Sequence, residues 1–441
     1  MIKRKISEDV YSLNSVPKEV RVSLVSVTLV RMGMATALPQ FMLGATLGHS
    51  MTFWNALLAT CLGSLIIEFI SLGLGFAGMK EGFSTSLLAR YCGFGRIGSV
   101  LVSLVIVISL IGWFGVQNTI FTEGILHALN YEINFGIIAF FSGIFLTFLV
   151  ASGFKALAWT AKIAVPLFFI VILYIFLCLI FKNNTIVYNY LDIPQLSISE
   201  ATTVVAGGFM VAALTTPDIS RYCKNQNHLF WMITLCIVVG EFIINIISIY
   251  ISHRLNTADI VTIMTRNAGI IGLTSIILSV IKVNDVNLYS SSLGLANALQ
   301  VFTGKKWDYF KLTVCVGFAG TALSMAGILN HFVDFLSMLG VIFPPIAGVM
   351  IVDYFILKTS RKILDETREK GLLPDDASTP LIGWSAIFAC IVGTIVGIVF
   401  KFGIPSLNSI LVAGIAYWTF LTAPRPKGRG FPLHRDEPKS Q

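Results

Sequence analysis

The sequence predicts an all-α membrane protein of about 12 transmembrane helices, and three observations predict it. The 441 residues are 55% hydrophobic and only 12% charged, about half the charge that soluble domains carry. A soluble chain of this size could not hide so much apolar surface. Apolar runs of about 20 residues recur along its length, each enough to cross a hydrocarbon core about 30 Å thick. Between the runs, Lys and Arg gather on one side of the implied membrane.

Twelve runs lie near 22–49, 52–78, 97–127, 134–153, 159–181, 199–217, 229–250, 268–300, 311–328, 332–356, 383–402 and 404–422. Lipid cannot satisfy backbone N–H and C=O groups, so each crossing is expected to be a helix. Transmembrane β-strands would alternate over about ten residues, and these runs do not. Residues 1–21 form a charged segment with Lys3, Arg4, Lys5, Lys18 and Arg21 against Glu8, Asp9 and Glu19. The run that follows is too long for a signal peptide and no small-residue cleavage site ends it cleanly, so it reads as the first helix.

The membrane-spanning unit, 22–422, divides into two groups of five helices, 22–181 and 199–356, and two further helices over 383–422. An even number of crossings puts both ends on one side. The other side's loops receive only Lys182, Arg254, Arg266 and Lys401, while Arg31 and Lys282 fall within helices. That leaves 25 of the 31 Lys and Arg on the side of the termini once those six are set aside. Both termini are therefore expected in the cytoplasm, in a multi-pass protein of a bacterial inner membrane.

The same scatter explains the net charge of +8 without nucleic acid, since the basic residues are spread over every inner loop. The longest inner loop mixes both signs from Lys358 to Asp376 and reads as a solvated connector. The tail 423–441 is rich in Pro and charge, and its basic start from Arg425 is expected to lie on the inner leaflet.

Two crossings carry the marks of broken helices. The first reads Gly33-Met-Ala-Thr36-Ala-Leu-Pro39 through Gly44 to Gly48, and the sixth reads Gly207-Gly208-Phe209 through Pro217-Asp218. Small residues also serve close helix packing. Their matching places, first in each group of five, fit an inverted repeat whose unwound segments face a ligand.

Five ionisable residues lie at membrane depth, where each costs about 2.5–3.5 kcal/mol on insertion scales. They are Arg31, Glu68, Glu241, Lys282 and Asp285. Two cations and three carboxylates invite the pairs Lys282–Glu241 and Arg31–Glu68. Such pairs either fix helix register or relay a proton or cation. Seven cysteines without a CxxC pair and six dispersed histidines without HExxH predict no metal site, no cofactor and no enzyme.

Five stretches together resemble the bacterial cytosine permeases, within the first nucleobase–cation symporter (purine/cytosine permease) family. They are Gly33 to Gly48, Gly82 to Arg90, Gly112-Trp113-Phe114-Gly115-Val116, Asn284-Asp285 through Asn297, and Pro344-Pro345 to Asp353-Tyr354. The likeness runs from about residue 18 to residue 422. It implies a leucine-transporter-type fold, with a 5+5 inverted repeat plus two peripheral helices. It also implies alternating access around a site between helices one, three, six and eight.

In such permeases a flat base is sandwiched between a helix-three tryptophan and a helix-six aromatic, positions that match Trp113 and Phe209. A planar base offers two π faces, and stacking is worth about 0.5–1.5 kcal/mol beyond area burial. Backbone groups near Gly207 and Gly208 are expected to read the ring edge, with Ser279 and Asn284 of helix eight beside it.

The chain departs from the family pattern in places that matter. Leu110 stands where cytosine permeases carry a glutamine, and Val211 where a serine is expected. Sodium-dependent relatives use two helix-eight hydroxyl groups, and those positions read Lys282-Val283. The Lys282 ammonium could donate to the carbonyls near Gly33 and Thr36 in place of Na+. This leaves two expectations for coupling, a sodium-independent fixed cation or a proton-linked lysine.

The expected function is a secondary transporter that imports a nucleobase-like solute such as a purine, pyrimidine, hydroxymethylpyrimidine or hydantoin. Its partners are the small-molecule substrate and the lipid bilayer, and it is expected to act as a monomer. An amino-acid or amine carrier of the same fold is the alternative, though Pro39 removes one helix-one N–H that a carboxylate would need. A non-transporting membrane sensor or enzyme is the alternative from another class.

Overall fold

Apolar runs this long leave the backbone no partner but itself, and the chain is helical almost throughout. The computed structural model describes residues 14–35, 38–152, 157–181, 196–369, 373–374, 379–400 and 402–423. Among them no strand forms, and one isolated bridge joins Val22 to Cys223.

The first crossing contains α1 (Leu24–Ala35) and α2 (Leu38–Ser50), with residues 36 and 37 between them outside the described ones. Next comes α3 (Phe53–Glu81), opened by the Thr52 hydroxyl, which accepts from the Asn55 N–H. A short α4 (Thr85–Ala89) leads through a distorted turn into α5 (Gly95–Ala128), α6 (Phe135–Ala151) and α7 (Leu157–Phe181).

The second half opens with α8 (Ile198–Leu214) and α9 (Thr216–Ser220). It continues with α10 (Gln226–Ile237), joined by a π-helical stretch to α11 (Ile244–Leu255). Then follow α12 (Ile260–Thr303), α13 (Tyr309–Met325) and α14 (Phe332–Ile351). A small α15 (Arg361–Glu369) precedes α16 (Trp384–Val399) and α17 (Pro405–Thr422).

These helices supply the twelve expected crossings, with α1–α2, α8–α9 and α10–α11 each counting as one. The eighth crossing begins within α12, which turns sharply at Gly269 (φ 54°, ψ −135°). Only glycine takes that backbone without strain.

Long helix pairs frame the interior: α5 lies along α12, α2 along α11, and α8 is wedged between α3 and α14. The wedge explains one correction. The sixth crossing does not break at Gly207-Gly208; α8 runs unbroken through both and ends at Leu214. A Cβ on Gly207 would stand 1.9 Å from the Leu336 carbonyl oxygen of α14. Gly207 is thus a packing residue, bare so that two backbones can touch.

Gly207→Ala is expected to destabilise the protein by about 1–3 kcal/mol. Thermal unfolding in detergent checks this. Gly208→Ala, whose added carbon would come within 2.9 Å only of the flexible Leu43 end, should cost less.

The connector after α14 is also more than a solvated loop. Its α15 docks on the end of α3, where Arg368 donates to both oxygens of the Glu81 carboxylate at 2.8 Å. The Tyr354 hydroxyl donates to the same group at 2.5 Å, and Ser15 Oγ donates to the Glu81 carbonyl at 2.8 Å. A carboxylate buried at a helix end demands such donors, and charge counting along the loop does not reveal them.

Near the same end, the Tyr417 hydroxyl of α17 donates to Asp353 at 2.5 Å. Ser15, before the first crossing, and Tyr417, near the end of the last, therefore meet one face, here termed the terminal face. The basic tail from Arg425, the residues 1–13 and Thr36 lie outside the described residues.

Candidate functional site between the interrupted helices

A cavity of about 470 Å³ lies between α2, α5, α8 and α12. Its inner end is walled by Pro39 and Gln40 of α2, Leu110 and Trp113 of α5, Phe209 and Val211 of α8, and Lys282 and Asn287 of α12. From there it reaches Ser84, Thr85, Asp218, Arg221 and Asn297, toward the terminal face.

The break in the sixth crossing has a local cause, whereas residues 36 and 37, where the first was expected to break, lie outside the described residues. In the sixth crossing, Thr215 (φ −85°, ψ 11°) ends α8, and Pro217 enters the first turn of α9.

The carbonyls released there find side chains. Ala212 O accepts from Arg31 Nη1 at 2.8 Å, and Ala213 O accepts from the Thr216 hydroxyl at 2.7 Å. Asp218 is held by Thr85, whose N–H and hydroxyl each donate to it at 2.9 Å.

Trp113 meets Phe332 and Phe335 of α14 edge-on, with ring centroids 6.2 and 5.4 Å away. Beyond that contact lies a second cavity of about 430 Å³, lined by Met42, Thr46, Glu123, Asp259 and Phe332. Phe332 therefore touches the indole from one side and borders the second cavity from the other. The Trp113–Phe332 contact stands between the two chambers.

The structure brings together Trp113, Phe209, Gly208, Leu110 and Lys282, all of which border the first cavity. It does not bring Gly207, Ser279 or Asn284 there. Gly207 faces α14, and Ser279 and Asn284 are buried on α12 outside the lining. Asn284 instead accepts at 3.4 Å from Asn287, which takes the place at the cavity wall about one turn further on. Gly33 lies in α1.

Neither expected ion pair forms. The Thr234 hydroxyl donates to Glu68 at 2.6 Å, while Arg31 turns to Ala212 and to the Thr216 hydroxyl, at 2.9 Å. Both Glu241 oxygens are buried without a hydrogen-bond partner, so no bond joins them to Lys282. Asp285 follows Lys282 by three residues on α12 and lies outside the lining.

Three amides escaped the sequence reading. Gln40 lines the cavity with its Oε1 buried and unpartnered, and Asn287 lines it from α12. Gln117 lies about one helical turn beyond Trp113, fully buried, and neither of its amide atoms has a hydrogen-bond partner. Unpaired buried amides are costly. Gln40 carried a signal in the sequence, as a lone amide between apolar residues, while Gln117 and Asn287 stand near a second amide, Asn118 and Asn284.

Comparison with known proteins places this geometry. A family model described as a permease for cytosine/purines, uracil, thiamine and allantoin matches residues 15–419. Cytosine permeases of Escherichia coli strains K12 and O157:H7 are 28% identical over 418 residues, covering 92% of this chain and 93% of theirs.

Among solved structures, the inward-facing conformation of Mhp1 superposes with a TM-score of 0.75 at 17% identity, over 93% of each chain. Mhp1, a nucleobase-cation-symport-1 family transporter, in a closed conformation with bromovinylhydantoin bound, gives 0.70 at 17% identity, over 92% of this chain and 94% of that one. A Na+-coupled sialic acid symporter gives 0.60 at 14% identity, over 92% of this chain and 91% of that one. At these identities the structural likeness establishes the fold.

Proposed function

Because the chain belongs to the family of permeases for cytosine/purines, uracil, thiamine and allantoin, we propose that it imports a small planar heterocycle held between Trp113 and Phe209. The observation that carries this reading is the cavity itself, where an indole and a phenyl ring flank a space edged by Gln40 and Asn287. Two rings supply stacking faces, and two amides supply donors and acceptors for a base edge.

With the terminal face in the cytoplasm, as the Lys and Arg bias favours, the 470 Å³ cavity is the release side. The chamber beyond Phe332 is then the side from which cargo arrives.

Leu110 and Val211 make the wall more apolar. A cytosine edge facing them would lose a partner, at about 1–3 kcal/mol, or on the order of 10- to 100-fold in affinity. The cargo is therefore a heterocycle other than cytosine. Lys282 in the same wall acts as a tethered cation, which makes transport independent of Na+.

Uptake of radiolabelled cytosine, uracil, hypoxanthine, allantoin and hydantoin into proteoliposomes tests both statements. One of the last four is expected to accumulate ahead of cytosine, with its rate kept when choline replaces Na+. Loss of uptake in choline would remove the tethered cation. Accumulation of none of the five would remove the heterocycle.

A further inference from the structure

Arg31 is fully buried, yet the structure gives it no carboxylate partner. Burying a guanidinium is expensive unless its donors are satisfied. Here Nε has no hydrogen-bond partner, and the two terminal nitrogens find acceptors at the break in the sixth crossing. Nη1 donates to Ala212 O at 2.8 Å, on the α8 side, and Nη2 donates to the Thr216 hydroxyl at 2.9 Å, on the α9 side. The Ser71 hydroxyl of α3 stands at 3.5 Å from Nη2. A cation at the carbonyl end of α8 also meets the negative pole of that helix.

The neighbouring carboxylates are engaged elsewhere, Glu68 by Thr234 and Asp218 by Thr85. The guanidinium carbon lies 5.5 Å from the centroid of the Phe209 ring. Phe209 borders the cavity and Arg31 does not. The cation thus backs the aromatic wall from outside the cavity.

We propose that Arg31 is the positioning residue for that wall. It fixes the angle of the Phe209 ring and ties it to α1 and to both sides of the α8–α9 break. The argument rests on geometry. A phenylalanine ring facing a 470 Å³ cavity has room to turn, and an unsupported ring makes a poor stacking surface. A guanidinium that is itself pinned at two points holds the ring by cation–π attraction.

Ala212 is three residues beyond Phe209, so the bond that orients the guanidinium sits on the turn carrying the ring. Movement of α9 against α8 would part Ala212 from Thr216, and Arg31 could not then keep both bonds. Ring position and break geometry are therefore linked through one side chain. A residue that only fixed helix register would carry no such link.

This inference rests on the stacking reading above, and a double-mutant cycle separates the two. Dissociation constants for uracil, hypoxanthine, allantoin and hydantoin are measured on purified wild type, Arg31→Ala, Phe209→Ala and the double variant. Arg31→Ala is expected to weaken binding of the preferred probe about tenfold. In the Phe209→Ala background the same change should matter about twofold or less, because the ring it served is gone.

Arg31→Lys keeps the charge but not both bonds, and should fall between. Where Arg31→Ala does not fold, Arg31→Lys and Thr216→Val close the same cycle against Phe209→Ala. An equal loss in both backgrounds, or no loss in either, overturns the positioning role and leaves the stack standing. A Phe209→Ala variant that binds every probe like wild type overturns the stack and this role together.

Discussion

Trp113→Ala is expected to lower kcat/KM for every accepted solute by about 100-fold, the effect of removing a desolvated aromatic anchor worth 2 kcal/mol or more. Two losses combine. The cargo loses an indole face, and the contact with Phe332 that separates the two chambers disappears. Trp113→Phe keeps a ring at the wall and should retain most of the activity. Uptake kinetics in proteoliposomes, normalised to folded protein, check both variants. Unchanged kinetics in Trp113→Ala would end the stacking account.

The second large effect is on stability. Arg368→Ala would leave the Glu81 carboxylate, whose side chain is 1% exposed, with the Tyr354 hydroxyl but no cation bonded to it. Breaking a buried pair on one side costs about 3–5 kcal/mol. Arg368 is itself 27% exposed, so a smaller cost, about 2–3 kcal/mol, is expected after allowing for solvent screening.

The thermal midpoint in detergent should fall accordingly. Adding Glu81→Gln to Arg368→Ala should recover part of it, because the stranded charge is then gone. A midpoint unmoved by Arg368→Ala would show that α15 merely rests on the surface.

Much of the architecture could be read before any coordinates. Length and apolarity of the runs place the crossings, because lipid leaves a helix as the only choice. The break in the sixth crossing was legible from Pro217, which enters the first turn of α9. Gly207 misled because glycine serves two physical ends. It frees the backbone to turn, and it lets two backbones touch; only the Leu336 carbonyl at 1.9 Å from its would-be Cβ decides between them.

The pairs Arg31–Glu68 and Lys282–Glu241 failed for a related reason. Sequence gives the depth of a charge along its helix but not the rotation of that helix against its neighbours. Arg31 donates instead to the Ala212 carbonyl and the Thr216 hydroxyl at the α8–α9 break, partners with no sequence signature. Trp113 and Phe209 were reached through resemblance, and both border the cavity. Gln40, Gln117 and Asn287 were missed because attention went to charges, although an amide in an apolar run carries a similar warning.

On the proposed reading, the indole at the head of the cavity holds two offices at once, one toward the cargo and one toward the partition with Phe332. A change of diet that altered this ring would also breach the partition. Leu110 and Val211 border the cargo without taking part in that contact. New tastes in this lineage are therefore expected to be acquired at those two aliphatic positions, while the tryptophan stays fixed by its second duty.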